Sequence, residues 1–245
     1  MANKLNAATR LLCILEKAFT QQEHIQAVEA WANLLGVMDD DPNRRAVRVA
    51  ELVHAMHREL DLVAAGLAEA HFSKRTYENA FARIEQAISP LMLTASWIQV
   101  KQNLTPDVLT ALTFCAEILS DEESQISTDE LEDIRQKVEE LRATVDDAET
   151  PLRLRQLIQH HIELIDRALS EYLIVGAKAL RDARRAAMGE IFEVKDELAP
   201  FKSSSAFSKL SSAWATLSKA TDVALKGEKL VQLVHKGWEA LSDIL

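Results

Sequence analysis

The stretch from 128 to 174, TDELEDIRQKVEELRATVDDAETPLRLRQLIQHHIELIDRALSEYLI, decides the fold. Apolar residues recur in it every three or four positions on both sides of Thr150-Pro151. That period is typical of amphipathic helices, whereas a half-buried strand alternates at every second residue. Ser127 and Glu130 have the spacing of a capping box, which predicts a helix from about residue 128. A short turn at Thr150 would fold the two helices into an antiparallel, coiled-coil-like hairpin over about 128–174.

Each predicted helix of this hairpin carries a narrow apolar seam. The first seam comprises Leu131, Ile134, Val138, Leu141 and Val145, and the second comprises Leu154, Ile158, His161, Ile165, Ala168 and Tyr172. Since His161 lies within a seam, we interpret it as a core histidine bonded to a neighbouring group. A catalytic base, with Glu163 and Asp166 nearby, is the alternative reading of the His160-His161 pair.

The composition extends the helical prediction to the whole chain. The 245 residues are 48% hydrophobic and include only 6 Gly and 5 Pro, which leaves little turn chemistry to connect many short strands. We therefore predict an all-α, multi-helix bundle. Besides the hairpin, helices are expected near 4–19, 22–36, 42–70, 74–100 with a bend at Pro90, 106–119, 177–197, 206–225 and 228–244.

The composition changes after Pro200, where Ser203-Ser204-Ser205 has the character of a hinge and lysine replaces arginine. We expect a bundle domain over 1–200 and a C-terminal amphipathic helical hairpin over 201–245. Its two seams are candidate partner-binding surfaces: Phe207, Leu210, Trp214 and Leu217, then Val231, Val234, Trp238 and Leu241. They could fold back on the bundle, bind a partner or a second copy, or lie on an anionic membrane surface.

The net charge and the cysteines restrict the class of partner and the compartment that we expect for this protein. The net charge is −10, and residues 121–150 contain 12 acidic and 3 basic side chains. This acidity argues against nucleic-acid binding, which needs basic surfaces. Cys13 and Cys115 have apolar neighbours, so they look like core residues and not a disulfide framework. Because the N-terminus lacks the features of a signal peptide, we expect a cytoplasmic protein.

One pattern resembles a metal site, namely Glu51, His54, His57 and Asp61. Glu-x-x-His is the helical spacing of di-iron carboxylate bundles, and carboxylate with imidazole suits iron, zinc or manganese. Such a centre needs a second copy of the motif, which the sequence lacks. The helical period also places His54 and Asp61 opposite the apolar stripe. A solvated polar face is therefore the preferred interpretation, and no cofactor is predicted.

The remaining motifs do not favour an enzyme. The sequence contains no Gly-x-Ser-x-Gly elbow, phosphate-binding glycine loop or dinucleotide fingerprint. The main hypothesis is a non-catalytic helical interaction protein, such as an adaptor, immunity protein or regulatory subunit, with self-association included. One alternative is a membrane-acting effector of a bacterial toxin or anti-phage system that uses residues 203–245. The other is a metal-dependent helical enzyme built on Glu51 and its neighbours. No residue pattern identifies a family.

Overall fold

A computed structural model describes residues 4–22, 24–145 and 150–225, and within these ranges every regular element is a helix. The predicted all-α, multi-helix fold is therefore confirmed. The first six α-helices are α1 (Ala7–Thr20), α2 (Ala27–Leu35), α3 (Pro42–Glu69), α4 (Glu78–Ala87), α5 (Trp97–Lys101) and α6 (Pro106–Ile118). The others are α7 (Thr128–Val145), α8 (Leu152–Val175), α9 (Ala177–Glu193), α10 (Lys195–Leu198) and α11 (Ser205–Ala224). Short 3-10 turns occupy Lys74–Thr76, Pro90–Met92 and Ala199–Phe201.

Local side chains explain where several helices begin. The carboxylate of Asp41 accepts a hydrogen bond from the Asn43 backbone N–H at 2.8 Å, immediately before the proline that opens α3. The capping box before α7 is confirmed. Ser127 Oγ accepts from the Glu130 N–H at 3.2 Å, and Glu130 Oε2 accepts from the Ser127 N–H at 2.9 Å. These two hydrogen bonds satisfy amide groups that the first helical turn would otherwise leave unpaired.

The continuous, bent helix expected over 74–100 is wrong. The chain forms α4, a 3-10 turn at Pro90–Met92 and α5 instead. Proline has no N–H to donate and restrains the residue before it, so the helix ends before Pro90. The backbone then pairs with the start of α2: the Ala27 N–H donates to Ala95 O at 2.9 Å, and the Trp97 N–H donates to Ile25 O at 2.8 Å.

The described residues form two compact units, each with its own apolar core. The first unit comprises residues 4–122 and Leu173–Gly176. Its core is built from the inner faces of α1 to α6 and includes an edge-to-face pair of buried indoles. The ring centroids of Trp31 and Trp97 lie 5.1 Å apart.

An ionic cluster lies at the margin of this first core. Arg10 on α1 contacts Glu59 on α3 at 2.7 Å and Glu122 at 2.9 Å, and its Nε donates to Ile174 O at 3.0 Å. The guanidinium therefore connects α1, α3, the segment after α6 and the last turn of α8. Asn6 adds a further connection, because its side-chain amide donates to Ala116 O at 3.0 Å.

The second unit comprises residues 123–172 and the described residues from 177 onward. In it α11 packs against α7 and α9. The end of α7 meets the start of α11, since Lys209 Nζ donates to Thr144 Oγ1 at 2.9 Å. Near the start of α7, the Ser124 N–H donates to Ala224 O, at the end of α11, at 2.8 Å. The two helices therefore run antiparallel.

The seams predicted for α7 and α8 are buried or half-buried in this same core. An ion pair between Arg142 on α7 and Asp166 on α8 joins the two helices. Their connection includes residues 146–149, which lie outside the described residues, so the antiparallel hairpin over 128–174 stays a prediction. Gly176 separates α8 from α9 and has a φ of 74°, a left-handed conformation that glycine adopts without strain.

The predicted division into a bundle domain over 1–200 and a C-terminal appendage over 201–245 stays a prediction, since residues 226–245 lie outside the described residues. In the structure the change of unit falls between Glu122 and Glu123, and Leu173–Gly176 belong to the first unit. The serine-rich segment before α11 has a local role, because Ser204 Oγ accepts from the Phe207 N–H at 3.2 Å and caps that helix. A serine cluster near a helix start can therefore be a cap as well as a hinge.

Candidate functional site

The most distinctive polar group of the second unit lies where α8, α9 and α11 meet. His161 is placed there by the apolar period of α8, since Ile158 and Ile165 precede and follow it on the same buried face. Trp214 reaches the same point from the buried face of α11. Both His161 and Trp214 have no exposed surface.

The hydrogen bond between these two side chains determines the state of the imidazole. Trp214 Nε1 donates to His161 Nδ1 at 2.8 Å, and the rings meet edge to face with centroids 5.6 Å apart. An indole N–H only donates, so Nδ1 must be the unprotonated nitrogen and Nε2 carries the proton of the neutral ring. The prediction of a core histidine bonded to a neighbour is confirmed.

A carboxylate from α9 completes the group. Glu190 Oε2 lies 3.3 Å from Nε2 of His161 and 3.3 Å from Nε2 of His160. His160 is half-exposed, whereas His161 is enclosed. Among the described residues, His161 Nε2 and Glu190 Oε2 have no well-aligned hydrogen bond, although they face one another. One carboxylate oxygen is thus shared between a buried and a solvated imidazole. We call Trp214, His161, Glu190 and His160 the histidine cluster.

Burial is the main electrostatic influence on the cluster. It lowers the pKa of His161 to about 4, and the neighbouring His160 adds to the shift. His161 is therefore neutral at pH 7 and acts as a hydrogen-bond acceptor through Nδ1. It gains a proton only in acid, and that proton would have to occupy the position to which Trp214 donates.

Three of the four residues in the metal-like pattern on α3 are exposed. Glu51 is exposed and forms an ion pair with Arg48 at 2.5 Å, and His54 and Asp61 are also exposed. His57 is partly buried, with Nε2 3.1 Å from Ile88 O. Within the described ranges, no group of three or more His, Cys, Asp or Glu side chains is arranged to hold a metal ion.

The first predicted partner-binding seam is internal to the second unit. Leu210, Trp214 and Leu217 are buried in its core, and Phe207 packs against that core. They lie in a core shared with residues of α7, α8 and α9. This arrangement corresponds to folding back, one of the three alternatives that the sequence left open beside a partner and a membrane surface. The second seam, Val231, Val234, Trp238 and Leu241, lies outside the described residues.

Sequence reasoning did not find Glu190 or the ionic cluster around Arg10. The separation of Arg10 and Glu59 along the chain explains the second omission, since no local spacing connects them. One signal was available for the histidine cluster: an indole and an imidazole both lay in apolar seams, and a buried indole N–H needs an acceptor. Pairing the two seams would have suggested their contact.

No helix in residues 4–22, 24–145 and 150–225 combines the length and hydropathy required to cross a bilayer. No protein-family model, curated protein or solved structure matches this chain.

Proposed function

We propose that this chain is a non-catalytic helical protein that acts by binding another protein or a second copy of itself. The observation that carries the proposal is the outer face of α9, where the aromatic ring of Phe192 is 59% exposed. Aromatic side chains held on rigid helices are frequent anchors of protein interfaces. Burying this ring in a partner would remove from water an apolar surface that the fold itself leaves exposed.

The surroundings of Phe192 suit an approaching helix. Gly189 and Ala186, about one and two turns earlier on α9, are also exposed. No atom lies within 4 Å of the position that a Cβ would take at Gly189, so the surface there is open. Lys195 Nζ lies 5.0 Å from the centre of the Phe192 ring and leaves much of that ring accessible. A protruding ring beside two small residues gives a partner both an anchor and room to approach.

The inner face of the same helix supports a rigid display of Phe192. Leu180, Ala187 and Ile191 are buried in the second core, and Arg184 forms an ion pair with Asp222 on α11 at 2.8 Å. A ring presented by a helix fixed in this way loses little conformational freedom on binding.

The test uses the full chain with Phe192→Ala and the control Phe114→Ala, which removes an equally exposed ring from α6 of the first unit. Light scattering over a concentration series measures self-association. Affinity capture, with quantification of each retained protein, measures binding to other proteins. We expect Phe192→Ala to weaken the association by about tenfold or more, as for an interface anchor, while Phe114→Ala leaves it unchanged.

Two outcomes would contradict the proposal. A wild-type chain that stays monomeric at all concentrations and retains no protein would argue against an interaction protein altogether. Association that Phe192→Ala and Phe114→Ala leave equally strong would remove the outer face of α9 from the interface. Because both rings are exposed, neither change should affect folding, which far-UV circular dichroism would check.

A further inference from the structure

The attachment of α11 to the second unit combines an apolar face with a pH-sensitive hydrogen bond. Leu210, Trp214 and Leu217 bury their side chains in the core, and such contacts depend little on pH. The bond from Trp214 Nε1 to His161 Nδ1 differs, because its acceptor is a titratable nitrogen. The geometry of this bond allows only one protonation state of His161.

Protonation changes the imidazole from one donor and one acceptor to two donors. A proton on Nδ1 would face the N–H of Trp214, which has no lone pair to accept it. The indole would lose its acceptor at a position without solvent access. Opening of α11 relieves this conflict because it returns both groups to water.

The charged groups around His161 do not remove the conflict. From α9 the facing group is Glu190, whose Oε2 is also 3.3 Å from His160 Nε2. His160, on α8 itself, is half-exposed, and its proximity lowers the pKa of His161. From α11 the facing group is Trp214, which does not titrate in this range. None of the buried α7 side chains titrates, and the ion pair from α7 to α8 reaches Asp166, more than one turn beyond His161.

We propose that the Trp214–His161 hydrogen bond is an acid-sensitive latch, and that protonation of His161 releases α11 from α8 and α9. The latch is closed at neutral pH, where His161 accepts the indole N–H. In acid the same side chain opposes the closed state, so α11 opens before the rest of the second unit. This inference does not depend on the proposed binding role of Phe192.

Hydrogen exchange on the full chain, corrected for the intrinsic pH dependence of amide exchange, tests the latch. In the closed state the pKa of His161 is about 4, against an ordinary value of 6.5, and each pH unit between the two corresponds to a tenfold change in proton affinity. The opening equilibrium of residues 205–224 should therefore rise by about 80-fold between pH 6.5 and pH 4. Amides of α8 and α9 should change much less and provide the internal reference.

Two variants separate the latch from general acid effects. His161→Asn places an amide oxygen near the position of Nδ1 and cannot titrate, so the pH response of α11 should be lost. The matched control, His160→Asn, removes the adjacent histidine, which does not contact Trp214, and should keep most of the response. Exchange that rises equally in α8, α9 and α11, or an unchanged response in His161→Asn, would overturn the proposal.

A measurement on the unmodified protein covers the case in which His161→Asn does not fold. Imidazole ¹⁵N chemical shifts report which ring nitrogen carries the proton. At pH 7 they should show His161 with Nε2 protonated and Nδ1 unprotonated. A charged ring, or a proton on Nδ1, at pH 7 would overturn the latch.

Discussion

At Arg10 a charged group lies almost completely out of water, with 8% of its side chain exposed. Removing a charge from water is costly, and the two carboxylates and a carbonyl at 2.7 to 3.0 Å from the guanidinium offset that cost. Glu59 is buried as well and depends on Arg10 in return. The cluster is therefore stable only as a complete set.

We expect Arg10→Ala to lower the free energy of unfolding by about 3–5 kcal/mol, because it leaves Glu59 buried without its counter-charge. Arg135→Ala is the control, since it removes a solvent-exposed partner of Glu132. That change should cost no more than about 1 kcal/mol. Urea denaturation measures the free energy of unfolding of both variants. Equal decreases in the two variants would show that the Arg10 cluster stabilises the fold no more than a surface ion pair does.

The two cysteines should differ in reactivity. Cys115 is buried, and burial raises the pKa of its thiol to about 11, whereas Cys13 is exposed. At pH 8 an alkylating reagent should modify Cys13 while Cys115 stays unmodified until the protein is unfolded. Mass spectrometry of the peptides gives the rate at each site, with Cys13→Ser as the control. Comparable rates at the two thiols would place Cys115 at an accessible position.

At the scale of single elements, two helical glycines have opposite surroundings. Gly66 lies on α3 where a Cβ would come 2.7 Å from Leu119 Cδ2, so the missing side chain permits close packing. At Gly189 on α9 the same Cβ would enter open space. Glycine in a helix interior is less favourable than alanine because it loses more conformational freedom on folding.

Gly189→Ala should therefore raise the free energy of unfolding by about 0.5–1 kcal/mol, the ordinary gain in helix propensity. Gly66→Ala should lack this gain or destabilise the protein, since Leu119 would have to move. Thermal and urea unfolding of the two variants make the comparison. A similar gain at both sites would mean that Leu119 accommodates a methyl group without cost.

At the scale of the whole molecule, His161 makes stability depend on pH. Its pKa is lower in the folded chain than in the unfolded one, so the unfolded state binds the proton more tightly. The contribution of His161 to the free energy of unfolding is therefore fully present above about pH 6.5 and is lost as the pH falls towards 4. Because the pKa of His161 falls from 6.5 to about 4 on folding, the free energy of unfolding should decrease by about 3 kcal/mol through this residue.

The measurement is urea denaturation of the wild type and of His161→Asn at several pH values between 7 and 4. Other carboxylates titrate in this range, so the difference between the two proteins isolates His161. At pH 7 the wild type should have the higher free energy of unfolding of the two proteins, and this difference should decrease as the pH falls. A difference that stays constant with pH would show that His161 has the same pKa in the folded and unfolded chains.

Local chemistry in the sequence determines where several helices begin or end. The Ser127–Glu130 box, the proline at the start of α6 and Gly176 each act within a few residues, so their effect could be predicted from spacing alone. The buried position of His161 followed in the same way, from the period of α8. The prediction for 74–100 failed at Pro90, where backbone pairing with the start of α2 replaced a helix.

Only the tertiary structure decided which helices meet and which polar groups pair. The contacts of Trp214 with His161 and of Arg10 with Glu59 join helices that are not consecutive in the chain. Glu190 contacts both histidines from the next helix, α9. An apolar seam specifies that one face of a helix is buried. It does not specify which other seam covers that face, because the hydrophobic effect has no direction. Hydrogen bonds and ion pairs do have direction, and they exist only after packing has brought their partners together.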